Sequence, residues 1–123
     1  MKEEILINGT IYVPKETIQL NDNNDLFIGK YVIVRCRDAG VHAGVLVSYK
    51  DRQCVLKDSR RLWFWKPADN KSFLSGAAHS GLDSHSKVGV SIQYLVLTEN
   101  CEIILCTEKA CKSISEYSDY VQD

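Results

Sequence analysis

Apolar and polar residues alternate in short runs separated by turn formers, the period of strands buried on one face of a sheet. Ile5-Leu6-Ile7-Asn8-Gly9-Thr10-Ile11-Tyr12-Val13 is the clearest hairpin. Asn-Gly between β-formers fits a type I′ turn, in which both central residues take positive φ, and Pro14 ends the second strand. Asn21-Asp22-Asn23-Asn24-Asp25 reads as a polar loop. Residues 31–37 predict a strand with Val32, Val34 and Cys36 on one face and Tyr31, Ile33, Arg35 and Arg37 on the other. Asp38-Ala39-Gly40 turns the chain into a strand over 41–49, with Val41, Ala43, Val45, Val47 and Tyr49 sharing a face. Lys50-Asp51-Arg52 is a hairpin turn. A third strand follows over 53–57, then a bend at Asp58-Ser59 and a fourth strand over 62–65 that Pro67 closes.

Asp69 or Asn70 is placed to cap a short helix over about 71–79, whose Gly76-Ala77-Ala78 offers a small-residue surface. Residues 88–97 predict the longest strand, alternating Val88, Val90, Ile92, Tyr94 and Val96. Thr98-Glu99-Asn100 turns it into a buried strand over 101–106. Thr107 caps a final helix over 108–114, with Glu108 where the helix dipole favours a carboxylate. The tail beyond Tyr117 is expected to fray. Short turns between strands favour antiparallel pairing. The fold class is therefore α+β, mainly β: a curved antiparallel sheet or small β-barrel with two short helices on one side or end. The chain is one domain over 1–123: an N-terminal hairpin (1–16), a polar loop (17–29), a core (30–115) and an acidic tail (116–123).

Composition narrows the function. A net charge of −1 argues against a salt-driven nucleic-acid coat protein. No apolar run is long enough to span a membrane, and Met1-Lys2-Glu3-Glu4 does not open a signal peptide. The five cysteines include no CxxC pair, which points to reduced thiols in a cytoplasm. His42, His79 and His85 show no metal-ligand spacing, and no cofactor motif or nucleophile motif occurs, so binding without catalysis is expected.

The densest chemistry lies in Arg60-Arg61-Leu62-Trp63-Phe64-Trp65-Lys66, which holds both tryptophans. On a strand, Leu62 and Phe64 point one way and Arg61, Trp63 and Trp65 the other. Two aromatic planes beside a guanidinium suit a base and a phosphate. Three alternatives stand for the tryptophans: core, subunit interface or ligand platform. Arg35 and Arg37, two apart before Gly40, can clamp an anion through forked N–H donors, or serve as structural ion pairs. The stretch 72–86 is rich in Ser, Gly, Ala and His. Ser72, Ser75 and His79 there can add hydrogen bonds to an anion at a helix start. The candidate ligand-binding set is thus Arg35, Arg37, Arg60, Arg61, Trp63, Trp65, Ser72, Ser75 and His79.

Residues 31–115 resemble a family of small uncharacterised proteins encoded by bacteriophages and prophages. The resemblance rests on Arg35-Cys36-Arg37-Asp38-Ala39-Gly40-Val41, Arg60-Arg61-Leu62-Trp63-Phe64-Trp65, Gly76-Ala77-Ala78 and Glu102-Ile103-Ile104-Leu105-Cys106-Thr107-Glu108-Lys109-Ala110. Phe64 stands where the family has tyrosine, and His79 near its usual serine. The resemblance implies a phage-encoded accessory protein in the bacterial cytoplasm. In that context the residues suit sequestration of a nucleotide-like anion, such as an immune signal. The alternative is a protein–protein interaction module or a homo-oligomeric inhibitor of a host protein. A homo-oligomer is expected under either reading, because strand edges at 5–13 and 88–97 can accept a second subunit.

Overall fold

The computed structural model describes residues 26–121, together with the backbone pairing of Leu6–Ile7 (β1) and Thr10–Ile11 (β2). That pairing is antiparallel, Ile7 opposite Thr10 and Leu6 opposite Ile11, the register a two-residue Asn8-Gly9 connection sets. The turn itself and the expected polar loop over 17–25 lie outside the described residues.

The remaining elements run β3 (Tyr31–Cys36), β4 (Gly40–Lys50), β5 (Gln53–Phe64), α1 (Phe73–Ser80), β6 (Lys87–Val88), β7 (Ile92–Leu97), β8 (Asn100–Leu105) and α2 (Glu108–Ser115). Six strands form one antiparallel sheet in the order β6-β5-β4-β3-β8, with β7 beside β6 on the same side of β5. The sheet curves without closing. β7 and β8 are consecutive in the chain and two residues apart, yet they lie on opposite flanks of the sheet. The turn between them holds that curl: Asn100 N donates to Arg52 O at 2.9 Å, and Arg37 N to Glu99 O at 3.1 Å.

Each face carries its own core. On the inner face Val32, Val34 and Cys36 meet Leu46, Cys54, Leu56 and Leu97. These residues come from strands that are not all neighbours, so the curl itself brings them together. On the outer face Ile33, Ala43, Leu62 and Val88 pack under Leu74, Ala77 and Ala78 of α1 and Ile114 of α2. β3 is therefore buried on both sides over Val32–Val34, with its residues on the two faces expected from sequence. Gly76 lets α1 fold against the segment before it, where a Cβ would lie 2.7 Å from the Lys71 side chain, and Gly81 lets its end meet α2, where a Cβ would lie 2.5 Å from the Ser113 side chain. Thr107 caps α2 as expected, its Oγ1 accepting from Ala110 N at 3.1 Å and donating to His79 O at 2.7 Å.

Several expectations change, among them the buried strand over 101–106, where Cys101, Glu102 and Leu105 are exposed. The third and fourth strands are one, β5, and the bend at Asp58-Ser59 is a bulge within it. There Asp58 takes φ +52° while the pairing with β4 shifts register at Gly44. Bulges also break the single apolar face expected for 41–49: Ala43 is buried, Val47 is exposed and Tyr49 packs on the inner core. The long strand over 88–97 is two pieces, β6 and β7, separated by Gly89-Val90-Ser91. The cap of α1 is Ser72, not Asp69 or Asn70; both of those take φ +57° in the preceding turn.

The tail is not frayed over the residues described. Tyr120 N donates to Val88 O at 2.8 Å, and Asp119 forms a parallel bridge with Val88. The Tyr117 hydroxyl reaches Asp83 O at 2.8 Å and Ser86 O at 2.7 Å.

Candidate functional site

The fold separates Arg60, Arg61, Trp63 and Trp65. Arg60 faces α2 and is only 4% exposed. Its Nε donates to Gly89 O at 2.9 Å, Nη1 to Ile114 O at 2.9 Å and to Tyr117 O at 2.5 Å, and Nη2 to Asp119 Oδ1 at 2.5 Å. This guanidinium ties β5, β6, α2 and the tail together and is not offered to a ligand. Alternation puts Arg60 on the face of Leu62, and it lies there; its place in the ligand set fails because α2 and the tail, distant in sequence, cover that face.

Arg61 points the opposite way and is exposed. Its Nη1 donates to Ala39 O at 3.0 Å in the β3–β4 turn. The same carbonyl accepts from His42 Nε2 at 2.9 Å. Gly40 takes φ +84° in this turn, a conformation glycine adopts without strain. Trp63, two residues on from Arg61, is 68% exposed and sits where the β5–β6 register shifts between Leu62 and Phe64. Phe64 is half exposed. Trp65 does not join Trp63: β5 ends at Phe64, and the Trp65 ring turns back to pack on the outer core beside the helices. One tryptophan is thus partly core and the other free.

Arg35 shares the outer-face parity of Ile33, opposite to that of Arg61, and its Nε pairs with Glu102 Oε1 across β8 at 2.8 Å. Arg37 is exposed at the end of β3. Ser72 and Ser75 are exposed on α1, and Ser72 makes no side-chain cap bond. His79 is exposed, with Nδ1 2.9 Å from Ser80 Oγ. α1 covers the outer face, whereas Arg61 lies on the inner side. Of the nine residues proposed from sequence, the fold brings Arg61 to the turn that follows Arg37 and leaves Trp63 exposed two residues on. It sends Arg35, Ser72, Ser75 and His79 to the other face and withdraws Arg60 and much of Trp65 into packing.

Among the described residues clefts lie elsewhere, including an open one of about 750 Å³ beside Asp51, Arg52, Thr98 and Glu99. One of about 280 Å³ opens at the inner core between Leu26, Phe27, Leu46, Tyr49 and Ile103. A more polar one of about 450 Å³ lies between Lys66, Pro67, Asp69, Lys71 and Asp83. None of these is lined by the tryptophans or the arginines of the candidate set. At the base of the inner core Asn100 sits between two thiols, with Cys36 Sγ 3.4 Å from its Oδ1. Burial pushes the Cys54 thiol up to about 11 and Cys106 up to about 12, which keeps both protonated and inert at neutral pH.

Sequence reasoning missed a second surface. Ile92, Tyr94 and Val96 of β7 project from the outer face and are 50%, 55% and 60% exposed. They lie beside Val55 and Lys57, because β7 pairs with β5 beyond the reach of the helices. Their alternation was legible; that no helix covers them was not. No helix among the described residues is long and apolar enough to cross a membrane.

No curated protein matches the sequence. A family model described as a domain of unknown function (DUF6948) matches residues 29–114, a span that holds every strand of the six-stranded sheet and all but the last residue of α2. The chain belongs to that family.

Proposed function

We propose that the protein is a phage-type accessory protein of the bacterial cytoplasm that acts by binding another protein, without breaking a bond. The observation that carries this reading is Trp63. A tryptophan 68% exposed on a rigid strand, two residues from an exposed arginine, is the combination that anchors protein interfaces. Its support is the β5 backbone, which β4 pairs as far as Arg61 and β6 pairs at Leu62 and Phe64 on either side of Trp63, so little ordering entropy is lost on binding. The surface around Trp63 is open, not enclosed, which suits a partner with a broad face.

The exposed ring beside the Arg61 guanidinium also favours a second reading, sequestration of a nucleotide-like anion. There Trp63 stacks on a base and Arg61 meets a phosphate.

The test is capture of bacterial proteins on the immobilised chain, with and without a mixture of nucleotides, for wild type, Trp63→Ala and Arg61→Ala. The first reading expects a protein retained by wild type, lost with both substitutions and indifferent to nucleotide. A nucleotide that co-purifies intact and is lost with the same substitutions supports the second reading and overturns the first.

A further inference from the structure

The chain treats the two halves of its β6–β7 edge differently. Along β6 its own C-terminal segment covers the edge, through Tyr120 N to Val88 O and the Asp119 bridge. Along β7 the described residues place nothing: β7 pairs with β5 alone. The opposite flank, β8, carries Glu102 in an ion pair with Arg35. β7 reads Ile92-Gln93-Tyr94-Leu95-Val96-Leu97, without a charge or a proline, the residues by which exposed edges are kept from pairing.

We propose that β7 pairs antiparallel with β7 of a second copy, about a two-fold axis at Tyr94. In that register Tyr94 faces Tyr94 of the second copy, and Ile92 faces Val96 in both directions. The outer stripe is symmetric about its centre, so each side chain meets an apolar partner, as an isologous interface requires. The absence of charge favours a second copy over a charged partner strand: self-pairing opposes no like charges, and β7 offers a charged strand no counter-ion. The pairing continues the sheet across the axis and joins the two outer patches of Ile92, Tyr94 and Val96 into one covered surface.

This inference goes beyond the Trp63 reading and uses a different part of the molecule. The test is the native mass of the full chain at micromolar concentration. Twice the chain mass of 13.9 kDa is expected for wild type and for Trp63→Ala, and the monomer mass for Tyr94→Lys, which sets two ammonium groups on the axis. In a Cys101→Ser background, Tyr94→Cys is expected to cross-link to its own copy on air oxidation, and Gln93→Cys is not. A monomeric wild type overturns the proposal, as does a dimer that survives Tyr94→Lys or fails to cross-link through position 94. None of these outcomes bears on Trp63, so the two readings fail separately.

Discussion

Arg61 and His42 donate to one acceptor, the carbonyl oxygen of Ala39, from 3.0 and 2.9 Å. The two residues face each other across β4 and β5, so the shared bond locks the β3–β4 turn to the strand that carries Trp63. Because the carbonyl can only accept, His42 holds its proton on Nε2. Burial lowers the His42 pKa, the bond to Ala39 opposes that shift, and the Arg61 charge adds to it.

Stability is therefore expected to fall on mild acidification. His42 binds its second proton more readily in the unfolded chain than in the fold. Its contribution is complete above the unfolded pKa of about 6.5 and is lost as pH falls through the lower folded value, with a slope of at most about 1.4 kcal/mol per pH unit. Denaturant midpoints between neutral pH and the onset of carboxylate titration read this slope. His42→Gln is expected to flatten it, and an unchanged slope would assign the effect to another group.

Arg60 and Arg35 are expected to differ sharply on truncation. Arg60→Ala removes a buried guanidinium from three carbonyls and Asp119, and should cost about 3 kcal/mol or more. Arg35→Ala breaks only a half-exposed, solvent-screened pair with Glu102 and should cost about 0–1 kcal/mol. Equilibrium unfolding of the two variants gives the comparison directly. Equal costs would contradict the structural role assigned to Arg60.

The cysteines should react in an order set by burial. Cys101 is exposed and is expected to titrate first with a thiol reagent under native conditions. Cys36 and Cys54 are buried, with pKa values raised by burial, and should react only on unfolding. Mass spectrometry of partly labelled protein resolves the sites.

Gly44 is held by contact, not by conformation. A Cβ there would lie 2.9 Å from Lys57 O and 3.1 Å from Ser59 Cα, both backbone atoms at the bulge. Gly44→Ala should therefore cost about 1–3 kcal/mol, read as a lower denaturant midpoint at unchanged slope.

Much of this architecture is visible in the sequence, and its gaps have local causes. The strand over 31–37 showed its two faces because no bulge interrupts the alternation before Arg35, and Thr107 declared α2 because a cap acts through bonds three residues away. Asp58-Ser59 looked like a bend because an extra residue in a strand and a break between strands share the same polar signature. Arg60 was read as a ligand group because the α2 and tail carbonyls that take up its guanidinium lie more than fifty residues away. Trp65 escaped the pattern because alternation ends with the strand, one residue before it. The tail and the exposed outer face of β7 were hidden for another reason: whether Val88 or Tyr94 is covered depends on segments distant in sequence.

The binding account rests most directly on Trp63. The decisive measurement is the dissociation constant of the captured protein for wild type and Trp63→Ala, with identical unfolding midpoints confirming the fold. The account predicts a loss of about 2 kcal/mol or more, roughly thirtyfold in affinity. Equal affinity for the two proteins would contradict it.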